Sequence, residues 1–132
     1  MEQIERDGVL YAIIHRKDDW NRGLDFITPD DASIQAGTFW YEAGKRCKAH
    51  RHLKNERTID YTQECNIVIS GSMAATIYDN NAQEIGTELL RAGDMIVVLT
   101  GAHGYEILED GTRVIECKNG PFVSVGKDKE PI

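Results

Sequence analysis

The chain has 132 residues, with 15 Lys and Arg against 22 Asp and Glu, a formal net charge of −7 and 41% hydrophobic residues. A chain of this length predicts one domain, residues 1–132, with room for a real core but not for two domains. An acidic protein repels a polyphosphate backbone, so nucleic acid is excluded as a partner unless basic residues are concentrated in a patch. The one candidate patch, GKRCKAHRHLK at 44–54, overlaps the candidate metal ligands described below.

The amino-terminal segment MEQIERDGVLYAIIHRKDDW has no apolar run long enough for a signal peptide. No other stretch approaches the ~20 apolar residues of a membrane span. Cys47, Cys65 and Cys117 are odd in number and widely separated, which is typical of free thiols in a reducing compartment. We therefore expect a cytoplasmic protein whose partners do not include membranes.

Short β-type runs, several of them rich in Val, Ile, Tyr or Thr, recur along the chain with turn residues between them. The predicted strands, in chain order, are 9–15, 36–42, 46–52, 64–70, 73–79, 87–90, 95–99, 103–108 and 112–118. Recurrence about every 8–12 residues is typical of a sandwich or barrel. Helix is predicted only as a single turn at 29–35, and 127–132 is predicted to be a loose tail. The pattern thus predicts an all-β, closed or two-sheet architecture.

Two histidines, His50 and His52, lie two residues apart in the predicted strand 46–52. Because side chains on a strand alternate between its two faces, both imidazoles point the same way and can meet one ion. Arg51 and Lys54 leave a second interpretation open, in which both histidines are exposed on a basic edge. The pair alone does not decide between them.

The spacing around these histidines resembles the first motif of the cupin superfamily: Gly, five residues, His-x-His, a spacer, Glu, six residues, Gly. Here Gly44 is followed by KRCKA and then by His50 and His52. The resemblance implies a double-stranded β-helix, the cupin jelly-roll barrel, over about 36–126. It also implies a metal site on the inner face of that barrel.

Two glutamates compete for the carboxylate position of this motif. Glu56 has the usual local spacing after His52, whereas Glu64 is followed by six residues and then Gly71. Glu64 opens an apolar predicted strand with a fixed register, and Glu56 lies in the polar stretch LKNERT. We prefer Glu64, with Glu56 as the alternative. Cys65 is expected on the opposite face of the strand, and Asn66 on the same face as Glu64.

The second cupin motif is Gly, five residues, Pro-x-Gly, two residues, His. Gly93 begins the corresponding segment here, but Leu99 replaces the proline and His103 comes one residue early. The resemblance implies His103 as the fourth ligand, beside His50, His52 and Glu64. Three imidazoles and one carboxylate suit a divalent transition metal, namely Fe, Mn, Zn, Ni, Co or Cu, with open positions for water or substrate.

The segment VIECKNGPF at 114–122 is similar to the carboxyl-terminal part of a subgroup of small single-domain cupins, some of which occur with surface-polysaccharide biosynthesis proteins. Glu116 and Lys118 share one face of their predicted strand, and Lys118 is a candidate catalytic cation for an anionic or carbonyl substrate. Tyr105, two residues after His103, is the second candidate catalytic residue, as an acid or hydrogen-bond donor. The alternatives are a surface ion pair for Lys118 and a barrel-lining aromatic for Tyr105. One of Trp40 and Tyr41 is expected in the core.

The expected function is a metal-dependent enzyme, isomerase- or epimerase-like, that acts on a small polar metabolite such as a sugar or sugar nucleotide. An iron-dependent dioxygenase and a non-catalytic carbohydrate- or metabolite-binding module are the alternatives. A metal-free isomerase with a His base and a Tyr acid is less favoured, since four metal ligands have no place in that chemistry. Exposed sheet edges predict a homodimer.

Overall fold

The computed structural model describes all residues from 1 to 132 and consists of antiparallel strands with one short helix. The strands are β1 (Glu2–Arg6), β2 (Val9–His15), β3 (Gly23–Phe26), β4 (Gly37–Trp40), β5 (Glu64–Ser70), β6 (Ser72–Tyr78), β7 (Glu84–Arg91), β8 (Met95–Val98), β9 (Ala102–Ile107) and β10 (Arg113–Lys118). The helix, α1, spans Val125–Asp128. The all-β prediction is confirmed. The structure contains no helix of the length and apolar character that a membrane crossing needs.

Three sheets make up the fold. A five-stranded sheet has the order β1-β2-β8-β5-β10, a three-stranded sheet has the order β7-β6-β9, and β3 and β4 form a two-stranded hairpin. Every pairing is antiparallel. Strands β9 and β10 are therefore edge strands of two different sheets, joined by a short turn.

The five-stranded sheet has a buried cluster on each face. Alternation along the strands sends Ile14, Val68 and Ile96 to one face, where they pack with Met73, Ile77 and Leu90 of the three-stranded sheet. Residues of the opposite face, such as Ile13, Cys65 and Val97, pack against Ile27 and Ala36, which flank the segment between β3 and β4. We call the face toward the three-stranded sheet the inner face.

The predicted strands at 9–15 and 64–70 have the same bounds in the structure as in the prediction. The strand predicted at 46–52 is wrong: residues 45–63 contain no strand, and 41–62 are exposed. This segment carries many charges and few apolar residues, so pairing with a sheet would bury little apolar surface. The hairpin partner β3 and the first strand β1 were not predicted. Residues 29–32 form one hydrogen-bonded turn, not a helix.

The core prediction for Trp40 and Tyr41 is also wrong, since both are exposed, and it is Thr38 of the same strand that is buried. The β3–β4 hairpin is not hydrogen-bonded to the two larger sheets, and its aromatic side chains Phe26, Phe39 and Trp40 are exposed. Thr38 and Trp40 share one face of β4 by alternation, but of the two only Thr38 is buried.

Candidate functional site

Two polar residues, Glu64 and Asn66, are buried on the inner face of β5. They alternate with Cys65 and share their face with Val68, a member of the inner core cluster. Polar groups in an apolar sandwich destabilise it unless they find partners. The hydrogen-bond partners of Glu64 and Asn66 therefore identify the other residues of this site.

His103 and Tyr105 of β9 supply those partners from the facing sheet. His103 is paired in register with Ile77 and Tyr105 with Ala75, and both Ile77 and Ala75 belong to the inner core cluster. Both polar side chains thus point into the sandwich, toward β5. Gly101 precedes the strand with a φ of 75°, and this left-handed turn starts β9 in the register that turns His103 inward.

Three contacts converge on one oxygen of Glu64. His103 Nε2 lies 2.8 Å from Oε1, the Tyr105 hydroxyl donates to Oε1 at 3.0 Å, and Asn66 Nδ2 donates to it at 3.1 Å. Asn66 Nδ2 also donates to the Tyr105 hydroxyl at 3.0 Å. The four side chains form one connected group. The contacts that Glu64 makes within it all involve Oε1, and none involves Oε2. We call this group the inner polar cluster.

The ionisation of this cluster follows from its contacts. Burial raises the pKa of Glu64, but the His103 contact and the hydrogen bonds from Tyr105 and Asn66 outweigh burial and lower that pKa to about 2. Burial and the neighbouring charge of Glu64 raise the pKa of Tyr105 far above its ordinary value. At neutral pH the cluster thus holds a carboxylate and a neutral phenol that donates to it.

Lys118 and Glu116 lie beside the cluster on the edge strand β10. Lys118 is the register partner of Glu64 and Glu116 is the partner of Asn66, so both side chains share the inner face. Lys118 Nζ lies 3.1 Å from Glu116 Oε1, and this ion pair raises the pKa of Lys118. Both groups are partly exposed. A cation therefore stands at the accessible side of the cluster.

Of the four predicted metal ligands, the structure brings Glu64 and His103 together and leaves His50 and His52 apart from them. The two latter imidazoles lie next to each other, 5.1 Å between ring centroids, in the exposed segment 41–62. No group of three or more His, Cys, Asp or Glu side chains has the arrangement of a metal site. The donor types suit a transition metal, but the residues as placed here do not fit one.

The alternative carboxylate, Glu56, is exposed in the same segment and makes no ion pair. Glu64 is the glutamate that lies beside His103. The segment 41–63 leads directly into Glu64, the first residue of β5, so His50 and His52 are connected to the cluster by chain but not by contact.

A concave feature that shares no residue with the inner polar cluster was not predicted. It is a cleft of about 420 Å³ lined by Lys17, Asp18, Trp20, Phe39 and Trp40. The sequence signal for this cleft is the aromatic run FWY at 39–41, of which one of Trp40 and Tyr41 is predicted in the core.

No protein-family model, curated protein sequence or solved structure matches this chain.

Proposed function

We propose that this chain is an enzyme that moves a proton next to a carbonyl group in a small polar metabolite, such as a sugar or sugar nucleotide. The inner polar cluster, with Lys118 beside it, is the proposed reaction centre. The observation that carries the proposal is the contact between Glu64 Oε1 and His103 Nε2 at 2.8 Å, beside the apolar core cluster between the two larger sheets. A buried carboxylate in contact with a partly exposed imidazole, beside the ion-paired Lys118, is an arrangement for general acid–base chemistry.

In this proposal His103 is the base. Its Nε2 contacts the carboxylate, which leaves Nδ1 as the nitrogen that accepts a proton from substrate carbon. Glu64 holds the ring in that orientation and stabilises the imidazolium that forms. The imidazolium then delivers the proton to the neighbouring former carbonyl carbon, while the hydroxyl proton of the first carbon passes to the former carbonyl oxygen, which gives isomerisation.

Lys118 and Tyr105 take the roles of oxyanion stabiliser and donor. When His103 removes the proton, negative charge develops on the carbonyl oxygen, and the ammonium of Lys118 is the nearby cation that stabilises it. The Tyr105 hydroxyl, bonded to Glu64 Oε1, fixes the carboxylate and remains a neutral donor.

A metal-dependent version of the same enzyme is the second candidate, and the donor set favours it. His50, His52, Glu64 and His103 would hold a divalent transition metal, which requires an arrangement of 41–63 that differs from the one described here. A bound ion would act as a Lewis acid toward the carbonyl oxygen. The motif resemblance to the cupins supports this version, and with it a jelly-roll assignment for the two larger sheets. Assembly as a homodimer through exposed strand edges stays a prediction.

Solvent-deuterium incorporation tests the proposal. Chelator-treated protein is incubated in D₂O with a panel of free and nucleotide-linked keto sugars, and loss of the proton next to the carbonyl is followed by ¹H NMR. Exchange in chelated protein supports the metal-free version. Exchange only after an added divalent ion supports the metal-dependent version, provided that His50→Ala with His52→Ala removes the bound ion.

Two other results would replace the proposal. Consumption of dioxygen with Fe(II) and substrate, with no anaerobic exchange, identifies a dioxygenase. Saturable binding of a panel compound without exchange, chelated or metal-loaded, identifies a non-catalytic binding module. If no compound exchanges or binds, the assignment of this cluster as a reaction centre is wrong.

A further inference from the structure

The cleft between the β2–β3 connection and β4 lies outside the proposed reaction centre. Lys17, Asp18 and Trp20 form one side, and Phe39 and Trp40 of β4 form the other. Its volume of about 420 Å³ is in the range of small-molecule sites, about 300–1,000 Å³. The cleft shares no residue with the inner polar cluster.

Both tryptophans of the cleft are exposed yet individually held in place. Trp20 is 42% exposed and packs edge-to-face against the buried ring of His15, with centroids 5.5 Å apart. Trp40 is 43% exposed and lies under the guanidinium of Arg22 at 4.6 Å. Arg22 is itself paired with Glu42. Fixed aromatic walls lose little conformational entropy when a ligand stacks on them.

The groups around the aromatic walls restrict the ligand class. Lys17 opposes a cationic ligand, and Arg22 already lies over the Trp40 ring. Asp18 opposes a nucleotide phosphate, and Lys17 is the one cation among the lining residues, since the neighbouring Arg22 is paired with Glu42. A purely apolar ligand would cover Lys17 and Asp18 without offering either of them a hydrogen-bond partner. A ring with a C–H face for stacking and hydroxyl groups at its edge satisfies all of these groups.

We infer that this cleft is a saccharide-binding site, in which a neutral sugar ring stacks on Trp20 or Trp40 and its hydroxyl groups bond to Lys17 and Asp18. The inference does not depend on the proposed reaction centre. A sugar held here is a binding event separate from proton transfer at His103.

Tryptophan fluorescence tests this inference directly, because the chain has two tryptophans and both line the cleft. The full chain is titrated with glucose, galactose, N-acetylglucosamine, maltose and cellobiose, and isothermal calorimetry repeats each titration. We expect a saturable change with at least one saccharide. Trp40→Ala, read through Trp20, is expected to weaken binding at least tenfold, and Trp40→Phe less.

Three controls make the result decisive. Asp18→Ala, a surface change that leaves both aromatic walls in place, is expected to weaken binding, whereas Phe122→Ala and Glu106→Gln, at exposed residues outside the cleft, are expected to leave the dissociation constant unchanged. Saturation by AMP or choline but by no saccharide overturns the ligand class. No saturation by any compound, or unchanged binding in both Trp40→Ala and Asp18→Ala, overturns the site itself.

Discussion

The carboxylate of Glu64 and the imidazole of His103 meet at 2.8 Å although they belong to different sheets. Glu64 comes from β5 of the five-stranded sheet, and His103 comes from β9 of the three-stranded sheet. A shift of either strand by one residue would turn its side chain to the opposite face. The contact is thus a consequence of register in both sheets.

Replacing Tyr105 by Phe removes the hydroxyl that donates to Glu64 Oε1 and accepts from Asn66. We expect the rate of deuterium exchange to fall about 10- to 100-fold, since one positioned donor is lost while the ring still fills its space. The measurement is the exchange rate at saturating substrate. Tyr61→Phe, at an exposed tyrosine in the 41–63 segment, is the matched control and should keep the wild-type rate.

Replacing Lys118 by Met removes the cation but keeps most of the stem length. We expect the exchange rate to fall about 100-fold, because the negative charge on the carbonyl oxygen loses its stabilising partner. Glu116 also loses its ion-pair partner, but it is partly exposed and can be solvated. Lys129→Met, at an exposed lysine after α1, should have no effect. Equal rates for the two variants would remove Lys118 from the reaction centre.

We expect the carboxylate of Asp94 to make the free energy of unfolding depend on pH in the acid range. Its buried carboxylate accepts from the backbone N–H groups of Lys17 and Arg91 and from Arg16. Burial raises its pKa, but these donors outweigh burial and lower the pKa below the ordinary value. The stabilisation is therefore complete above the unfolded-state pKa of about 4 and is lost as pH falls through the lower folded-state pKa.

The test is the free energy of unfolding of Asp94→Asn from urea titrations at pH 7 and pH 3. We expect a loss of about 1–3 kcal/mol at pH 7, as for hydrogen bonds to a charged group, and a smaller difference from wild type at pH 3. Asp60→Asn, at an exposed aspartate, should match wild type at both values. A difference that grows toward acid pH would contradict the assigned direction of the pKa shift.

Replacing Gly101 by Ala tests how tightly the backbone before β9 is packed against its neighbours. A Cβ at this position would overlap the carbonyl oxygen of Tyr78 and would lie 2.8 Å from Cδ1 of Tyr11. Gly111 has a similar φ, 80° against 75°, but a Cβ there would meet nothing within 4 Å. Backbone strain is thus common to Gly101→Ala and Gly111→Ala, and overlap is specific to the first.

We expect Gly101→Ala to lower the free energy of unfolding by about 2 kcal/mol more than Gly111→Ala, since the neighbours at position 101 are backbone and a packed ring. The measurement is the urea midpoint of both variants under identical conditions. Equal losses of unfolding free energy in the two variants would show that the turn before His103 shifts to accept a methyl group with little loss of stability.

Sequence patterns were sufficient where burial decides the structure. The runs 9–15 and 64–70 became strands with the predicted bounds, because their apolar residues are buried on both faces of the five-stranded sheet. The inward positions of Glu64 and Asn66 follow from alternation in β5. His103 and Tyr105 share a face for the same reason, although their meeting with Glu64 depends on packing between sheets.

Sequence patterns failed where few apolar residues are buried. The segment 46–52 alternates like a strand, but it is exposed and unpaired, and His50 and His52 lie apart from the other two predicted ligands. Trp20 and Trp40 form a cleft together with residues from elsewhere in the chain, and such a juxtaposition depends on how the β3–β4 hairpin packs. Local pattern carries no information on either arrangement.

The comparison of Glu64→Gln with Glu106→Gln tests the proposed reaction centre most directly. Both residues are glutamates of strands β5 and β9, but Glu64 is buried against His103, whereas Glu106 is exposed on the opposite face from Tyr105. The measurement is the rate of solvent-deuterium exchange for wild type and both variants, with folding verified by urea titration. We predict at least a 100-fold loss in Glu64→Gln and the wild-type rate in Glu106→Gln. A folded Glu64→Gln variant that exchanges at the wild-type rate would contradict the assignment.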